Sequence, residues 1–272
     1  MTIWLYEEVG HNQSAKQEMK GVLHDVPLVF DTPKPVKLID RILKLSTKND
    51  KPYLILDFFA GSGTTLHATM QLNAEDGGNR QCILVTNNEN NIAEEVCYER
   101  NKRVIQGYTN AKGQQVPGLT NNNLRYYRCE TVPRQTTLPA KRLLMQRATE
   151  LLCIKEGLYD EVPTLSMGEQ IRGYGKTGEY LLIIYDDLCI DEAVTLIRQT
   201  VETEPDARFR VYVFSNGQYP YTEEFEEVLP YVTLCALPDA LYKAYRQVLP
   251  AEQAPVRLAD EESAEDSPLT LF

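Results

Sequence analysis

The sequence predicts an α/β protein: a larger first domain built on a parallel sheet, then a second, smaller α/β domain. Between Tyr53 and Gly107 a short apolar run, a glycine turn, a helical stretch, a second apolar run and a second helical stretch come one after another. That order is the βαβ signature of a parallel sheet. The alternation restarts beyond Gly178 with three further apolar runs, each leading into a helical stretch. No apolar run approaches the roughly 20 residues of a membrane span.

Residues 1–30 read as short mixed segments. From Pro35 to Thr47, apolar residues at Val36, Leu38, Ile39, Ile42, Leu43 and Leu45 fall on one face of a helix. Pro35 suits its start, where a missing N–H costs nothing. Tyr53–Phe59 (YLILDFF) is the continuous apolar run of a strand buried on both faces, and Gly61–Leu72 is a glycine turn opening into a helix. Gln81–Val85 is the second buried strand; the next helix, from about Ile92 to Gly107, turns Ile92, Ala93, Val96, Val104 and Ile105 inward. A turn-rich stretch leads to a short aromatic strand near Arg125–Arg128. Arg128–Pro139, with two prolines, reads as a linker.

The second domain opens with a helix over Ala140–Lys155. Strands are expected at Glu179–Asp187, Arg208–Ser215 and Tyr231–Pro238, with helices at Asp191–Glu202, Glu223–Leu229 and Asp239–Val248, giving a second parallel sheet. The expected domains are 1–135 and 136–250. The acidic, Pro/Ser-containing tail, 251–272, is expected to be disordered.

Charge separates the halves. Residues 1–135 hold 16 Lys and Arg against 15 Asp and Glu, a balance of +1; residues 136–272 hold 12 against 24, a balance of −12. Nucleic-acid affinity rests largely on cations that neutralise phosphates, so this chain alone is not built as a DNA clamp. Cys82, Cys97, Cys129, Cys153, Cys189 and Cys235 form no C-x-x-C pair and read as free, buried, structural thiols. His11, His24 and His67 show no metal-ligand spacing. The first residues lack a signal peptide's basic stretch and apolar core, which predicts a cytoplasmic protein without membrane contact.

The strongest local pattern is Asp57-Phe58-Phe59-Ala60-Gly61-Ser62-Gly63-Thr64-Thr65, between a buried strand and a helix. Glycines let the backbone turn sharply and approach a ligand closely. The N–H groups of a helix start can hold a carboxylate or phosphate. No Lys comes after the last glycine, as a nucleotide P-loop requires, and the third glycine of the dinucleotide fingerprint is missing. On these grounds the loop is either a nucleotide-like cofactor site or a tight turn without a ligand.

LDFFAGSGTTLHA closely resembles motif I of the amino-methylating DNA methyltransferases, which bind S-adenosylmethionine. The resemblance implies that Gly61 and Gly63 let the loop pass beneath the methionine moiety. Thr64 and Thr65 would help hold its amino-acid end, Asp57 would take its amino group directly or through water, and Phe59 would pack beside it. Phe30-Asp31-Thr32-Pro33-Lys34-Pro35, about twenty residues upstream, resembles motif X. It implies Phe30, Thr32 and Lys34 on the other side of the cofactor, with Lys34 suited to pair with the carboxylate and Thr32 to hydrogen-bond it. Family members place an acidic residue after the second strand for the ribose hydroxyls. Here Glu89 is the candidate, with Asn87 and Asn88 as alternatives, unless Glu89 and Asn90 merely cap the next helix.

Motif X before motif I is the permuted order of the beta class. Trp4, Gly10, Asn12 and Ala15 resemble the segment just after the recognition region in type III restriction–modification methylase (Mod) subunits. The likeness is strong to about residue 130 and looser over 140–250. It implies an incomplete Rossmann-like methyltransferase fold and an adenine-N6 target. The D-P-P-Y or N-P-P-Y catalytic sequence does not occur in this chain; Gln218-Tyr219-Pro220-Tyr221 is a poor imitation. No residue is therefore assigned a catalytic role. The expectation is the C-terminal, S-adenosylmethionine-binding portion of such an enzyme, inactive alone, meeting DNA through a missing N-terminal segment or subunit. A restriction (helicase–nuclease) subunit and a second copy are further implied partners. The alternative is a non-catalytic binding or assembly module of a restriction–modification complex.

Overall fold

A computed structural model describes residues 3–27, 30–132, 136–215 and 221–247. These fall into two units, Met1–Arg128 and Cys129–Phe272. The acidic tail 251–272 and Gln218, Tyr219 and Pro220 lie outside the described residues.

The first stretch, expected to hold only mixed segments, forms helices α1 (Tyr6–Val9) and α2 (Asn12–Val22). His11 starts α2 through a reciprocal cap: its Nδ1 accepts the Ser14 N–H at 3.0 Å, and Ser14 Oγ accepts the His11 N–H at 3.0 Å. Helix α3 (Val36–Ser46) begins after Pro35 and buries Val36 and Leu43. Strand β1 (Leu54–Asp57), helix α4 (Thr64–Asp76) and strand β2 (Gln81–Leu84) make one βαβ unit, paired in parallel from Leu54↔Gln81 to Asp57↔Leu84.

Helix α4 is buried on two sides. Met70 joins Met19, Val22, Leu23, Val96 and Val104 in one cluster, whereas Ala68 and Leu72 join Val36 and Leu43 of α3 in another, with Ile55 of β1 against it. Arg80, after α4, donates to both Asp76 carboxylate oxygens and to Thr47 Oγ1, tying the turn to the end of α3.

Strand β1 is not buried on both faces as expected. Ile55 packs inward, but Leu54 is 63% and Leu56 50% exposed. Among the described residues the strand has a single hydrogen-bonded neighbour, β2, and its packed helices cover one face only.

The expected helix from Ile92 is two segments, a π-helical turn (Ile92–Tyr98) and α5 (Glu99–Gln106), preceded by a 3-10 turn (Glu89–Asn91). Its inward residues are as expected, with Ala93, Val96 and Val104 buried and Ile92 and Ile105 against the same core. Strands β3 (Tyr108–Thr109) and β4 (Gln115–Val116) form a small hairpin. The aromatic strand expected near Arg125–Arg128 does not form. Tyr126 instead packs edge-on against Tyr98, and Arg128 pairs with Glu94.

The second unit begins with α6 (Leu138–Glu156), where Thr137 Oγ1 accepts the Ala140 N–H. Its sheet holds β5 (Ile171–Lys176), β6 (Glu179–Ile184), β7 (Arg208–Val213) and β8 (Val232–Cys235), in that spatial order. Helix α7 (Ile190–Thr203) links β6 to β7, and α8 (Asp239–Gln247) comes after β8. The run Glu223–Leu229, expected as a short helix, forms a 3-10 helix at Glu226–Tyr231. The sheet is mixed rather than parallel: β5, not foreseen, pairs antiparallel with β6. Its two glycines, Gly173 and Gly175, hide the strand pattern in the sequence, and a Cβ at Gly173 would lie 2.3 Å from Leu165 Cβ.

Strand β6 shows how both faces are filled. Leu181 and Ile183 face a core with α6 and α8; Leu182 and Ile184 face a core with α7. None of the six cysteines is in a disulfide, but only Cys97 and Cys153 are buried and Cys129 is exposed, so the expectation of uniformly buried thiols is corrected. No helix among the described residues is long and apolar enough to cross a membrane.

Candidate functional site

The glycine loop lies where β1 ends and α4 begins, at the carboxyl edge of the parallel pair, where open α/β sheets bind ligands. Asp57 closes the strand. Its Oδ1 accepts the Phe59 N–H at 3.0 Å and its Oδ2 accepts the Thr65 hydroxyl at 2.6 Å, so one carboxylate fixes both ends of the loop. The Ala60 N–H donates to Val85 O and the Gly63 N–H to Ala60 O.

Both loop glycines adopt positive φ, +51° at Gly61 and +70° at Gly63. A Cβ at Gly63 would stand 2.3 Å from Asn101 Nδ2 and 2.8 Å from Cys97 Sγ, so the rear of the loop is packed tight against the helical segment behind it. Gly61 looks the other way: a Cβ there would meet the Phe30 ring at 3.0 Å. No side chain caps the first turn of α4. Its N–H groups are therefore open to an anion.

The upstream segment reaches this loop. Phe30 covers Gly61, and the Thr64 hydroxyl donates to the Lys34 carbonyl at 3.2 Å. The side chains of Thr32 and Lys34 are exposed and make no hydrogen bond or ion pair among the described residues. Phe59 is 93% exposed. Thr64, by contrast, is buried, and its hydroxyl is shared among Ser62, Lys34 and Arg100.

After β2 the chain places Glu89 on the surface, with Asn87 Nδ2 at 3.5 Å from its carboxylate. The helix cap is Asn88, whose Oδ1 accepts the Ala93 and Glu94 N–H groups. Neither Glu89 nor Asn90 takes that role, and Asn90 and Asn91 sit at positive φ to make the turn.

Sequence reasoning missed a buried cluster behind the loop. Arg100 donates to Ser62 O, Ser62 Oγ and Thr64 Oγ1 at 3.3, 3.1 and 2.9 Å and lies 3.3 Å from His67 Nδ1. Asn101 Nδ2 donates to Gly63 O and Cys97 O. Burial, helped by the Arg100 charge, pushes His67 down to about 3, leaving a neutral ring whose Nδ1 can accept from Arg100. Burial likewise pushes the Cys97 thiol up to about 11, so it is an inert wall of the loop. Arg is seldom fully buried, and no sequence pattern marks one that is.

A model of the DNA methylase family matches residues 1–110, which contain the whole loop and the segment that covers it. These residues are therefore similar to the DNA methylase family over about two fifths of the chain. Over 145 residues the chain is 41% identical to the StyLTI Mod subunit, a type III restriction–modification enzyme of Salmonella typhimurium strain LT2; the match covers 48% of this chain and 21% of that one. It is 46% identical over 81 residues to the type II methyltransferase M.KpnI of Klebsiella pneumoniae, covering 30% of this chain and 19% of the relative. The EcoPI Mod subunit of Escherichia phage P1, also type III, is 42% identical over 88 residues, covering 32% and 13%. The chain thus spans about a fifth or less of the length of each.

In residues 1–110 two features suit an anionic, S-adenosyl-type group. The first turn of α4 is uncapped, and Lys34 and Thr32 stand exposed at one side. The second unit offers a shallow depression of about 300 Å³ lined by Asp187, Leu188, Ile190, Asp191, Tyr221 and Glu224. Its carboxylates repel phosphate, and Asp186, beside it, caps a turn by accepting the Leu188 N–H.

Proposed function

We propose that this chain is the S-adenosylmethionine-binding, C-terminal portion of a DNA adenine-N6 methyltransferase of the type III restriction–modification kind. The observation that carries this reading is the meeting of two sequence segments at one strand end: Phe30 lies on Gly61, and Lys34 is tied to Thr64. In this reading residues 1–128 are part of a Rossmann-like sheet. The exposed apolar face of β1, with Leu54, Leu56 and Phe58, is where the rest of the methyltransferase packs.

Lys34 and Thr32 would hold the cofactor carboxylate, Asp57 its amino group, Glu89 its ribose hydroxyls, and Phe59 and Phe30 its apolar flanks. Gly61 and Gly63 admit the backbone approach, while Thr65 orients Asp57 and Thr64 braces the loop. The cofactor supplies an activated methyl group on a sulfonium. This chain's part is to fix its orientation and keep the amino-acid end in place. Flipping the adenine and polarising its amino group fall in this reading to a D-P-P-Y segment, a sequence that does not occur in this chain, and to a target-recognition region. DNA, a restriction subunit and a second copy of the chain are partners in the same reading.

The test is reconstitution. The chain is mixed with a polypeptide that supplies the D-P-P-Y segment and recognition region, and tritium transfer from labelled S-adenosylmethionine to DNA is counted. Each part alone should be silent and the pair active. A pair that associates, with this chain loaded with cofactor, yet leaves DNA unlabelled would refute the assignment.

A further inference from the structure

Arg100 is a buried cation behind the glycine loop, and no carboxylate hydrogen-bonds it among the described residues. Its residue is 1% exposed. Every hydrogen-bond partner it has among the described residues is neutral: the Ser62 carbonyl and hydroxyl, the Thr64 hydroxyl and the His67 ring. Among the same residues its Nε has no partner at all. Glu18, the carboxylate that acts on it through space, accepts the Val36 N–H and makes no ion pair with it. Burial lowers the guanidinium only to about 10, so the charge remains at neutral pH.

A buried charge without a counter-ion costs free energy. Folding of the loop alone does not require one, since Asp57, Thr65 and Asn101 already hold its two ends and its middle. Arg100 touches the backbone and hydroxyls of the segment Ser62–Thr64, immediately behind the uncapped first turn of α4. Positive charge there adds to the field of the helix N-terminus. Low local polarisability makes that field act further than a solvated lysine's would.

We propose that Arg100 is a specificity-determining residue of the loop, whose charge, paired with no carboxylate in direct contact and carried forward through Ser62 and Thr64, makes the site select ligands that bear a carboxylate. It acts through the loop without touching the ligand. This rests on the cofactor reading above. It goes further, because it assigns the choice of the ligand's charged end to a buried residue in addition to exposed Lys34.

The experiment compares S-adenosylmethionine with its decarboxylated analogue, which differs only in lacking the carboxylate, by calorimetric titration of the full 272-residue chain. The wild type should prefer the carboxylated ligand by ~10-fold or more, the scale of two unit charges several ångströms apart near a protein surface. Arg100→Met should lower that ratio several-fold, the loss falling mainly on the carboxylated ligand. Arg100→Lys, which keeps a charge but not the fork, should retain most of the ratio and also serves if Arg100→Met does not fold. Equal losses for both ligands, with the ratio preserved, would make Arg100 a packing residue and overturn the proposal. An unchanged ratio in a folded Arg100→Met chain, or no preference in the wild type, overturns it too while leaving the cofactor site intact. A wild-type chain that binds neither ligand ends the cofactor reading and this inference with it.

Discussion

Gly63 sits at φ +70° with Asn101 and Cys97 directly behind its missing Cβ. Gly63→Ala must therefore both strain the backbone and push Asn101 off the Gly63 carbonyl. We expect it to destabilise the first unit by about 1–3 kcal/mol, read as a lower denaturant midpoint, with ligand binding reduced in parallel. Normal stability in that variant would mean the loop is looser than described. Thr65→Val tests the other side. It removes the 2.6 Å bond to Asp57 and should cost about 1 kcal/mol in thermal melts while leaving the loop's rear packing in place. Single residues are legible in the sequence where their chemistry is local: the glycines, Asp57 and the Thr pair all converge on one loop. They are not legible where a role depends on burial. Arg100 and His67 look like ordinary helix-surface residues in the sequence, and only the fold places them, buried, directly behind the loop.

Among elements, the ion pair at the end of α4 makes a pH prediction. The hydrogen bond from Arg80 holds the Asp76 carboxyl below its ordinary 3.8. A depressed folded value means the pair stabilises fully above the unfolded value and loses its effect as pH falls through the folded one. The stability gap between wild type and Asp76→Asn, measured by urea titration, should thus be widest at neutral pH and close as the pH drops below about 3.8. A gap that is flat with pH would rule the pair out as its source. In the second unit, Leu182 is fully buried in the α7-side core of the central strand β6, and Leu182→Ala should cost about 2–5 kcal/mol in the same assay. Continuous apolar runs make β6 and β7 readable, whereas β5 escapes because Arg172, Gly173 and Gly175 break its pattern and its pairing comes from a neighbour. The His11 cap of α2 escapes for a related reason: a His imidazole is an uncommon cap, visible only once Ser14 is seen to answer it.

For the whole molecule, the exposed face of β1 is the feature that ties fold to function. Its sequence is that of an interior strand, yet Leu54 and Leu56 meet solvent because, among the described residues, the packed helices cover only its other face. An apolar pattern marks a face to be covered; it does not disclose that the covering layer is not supplied within the described residues. Leu56→Glu should therefore leave the stability of this chain within about 0.5 kcal/mol but abolish reconstitution with the D-P-P-Y-bearing polypeptide. Loss of stability without loss of reconstitution would contradict that assignment. Everything proposed for the molecule depends on the loop between β1 and α4 holding S-adenosylmethionine. Calorimetric titration of the purified chain decides this, beside Gly61→Trp, whose side chain would collide with the Phe30 ring and displace it from the loop. Saturable one-to-one binding in the wild type, lost in a folded Gly61→Trp, is the expected result; a folded wild-type chain that takes up no S-adenosylmethionine, or a Gly61→Trp chain that binds it as well, would contradict it.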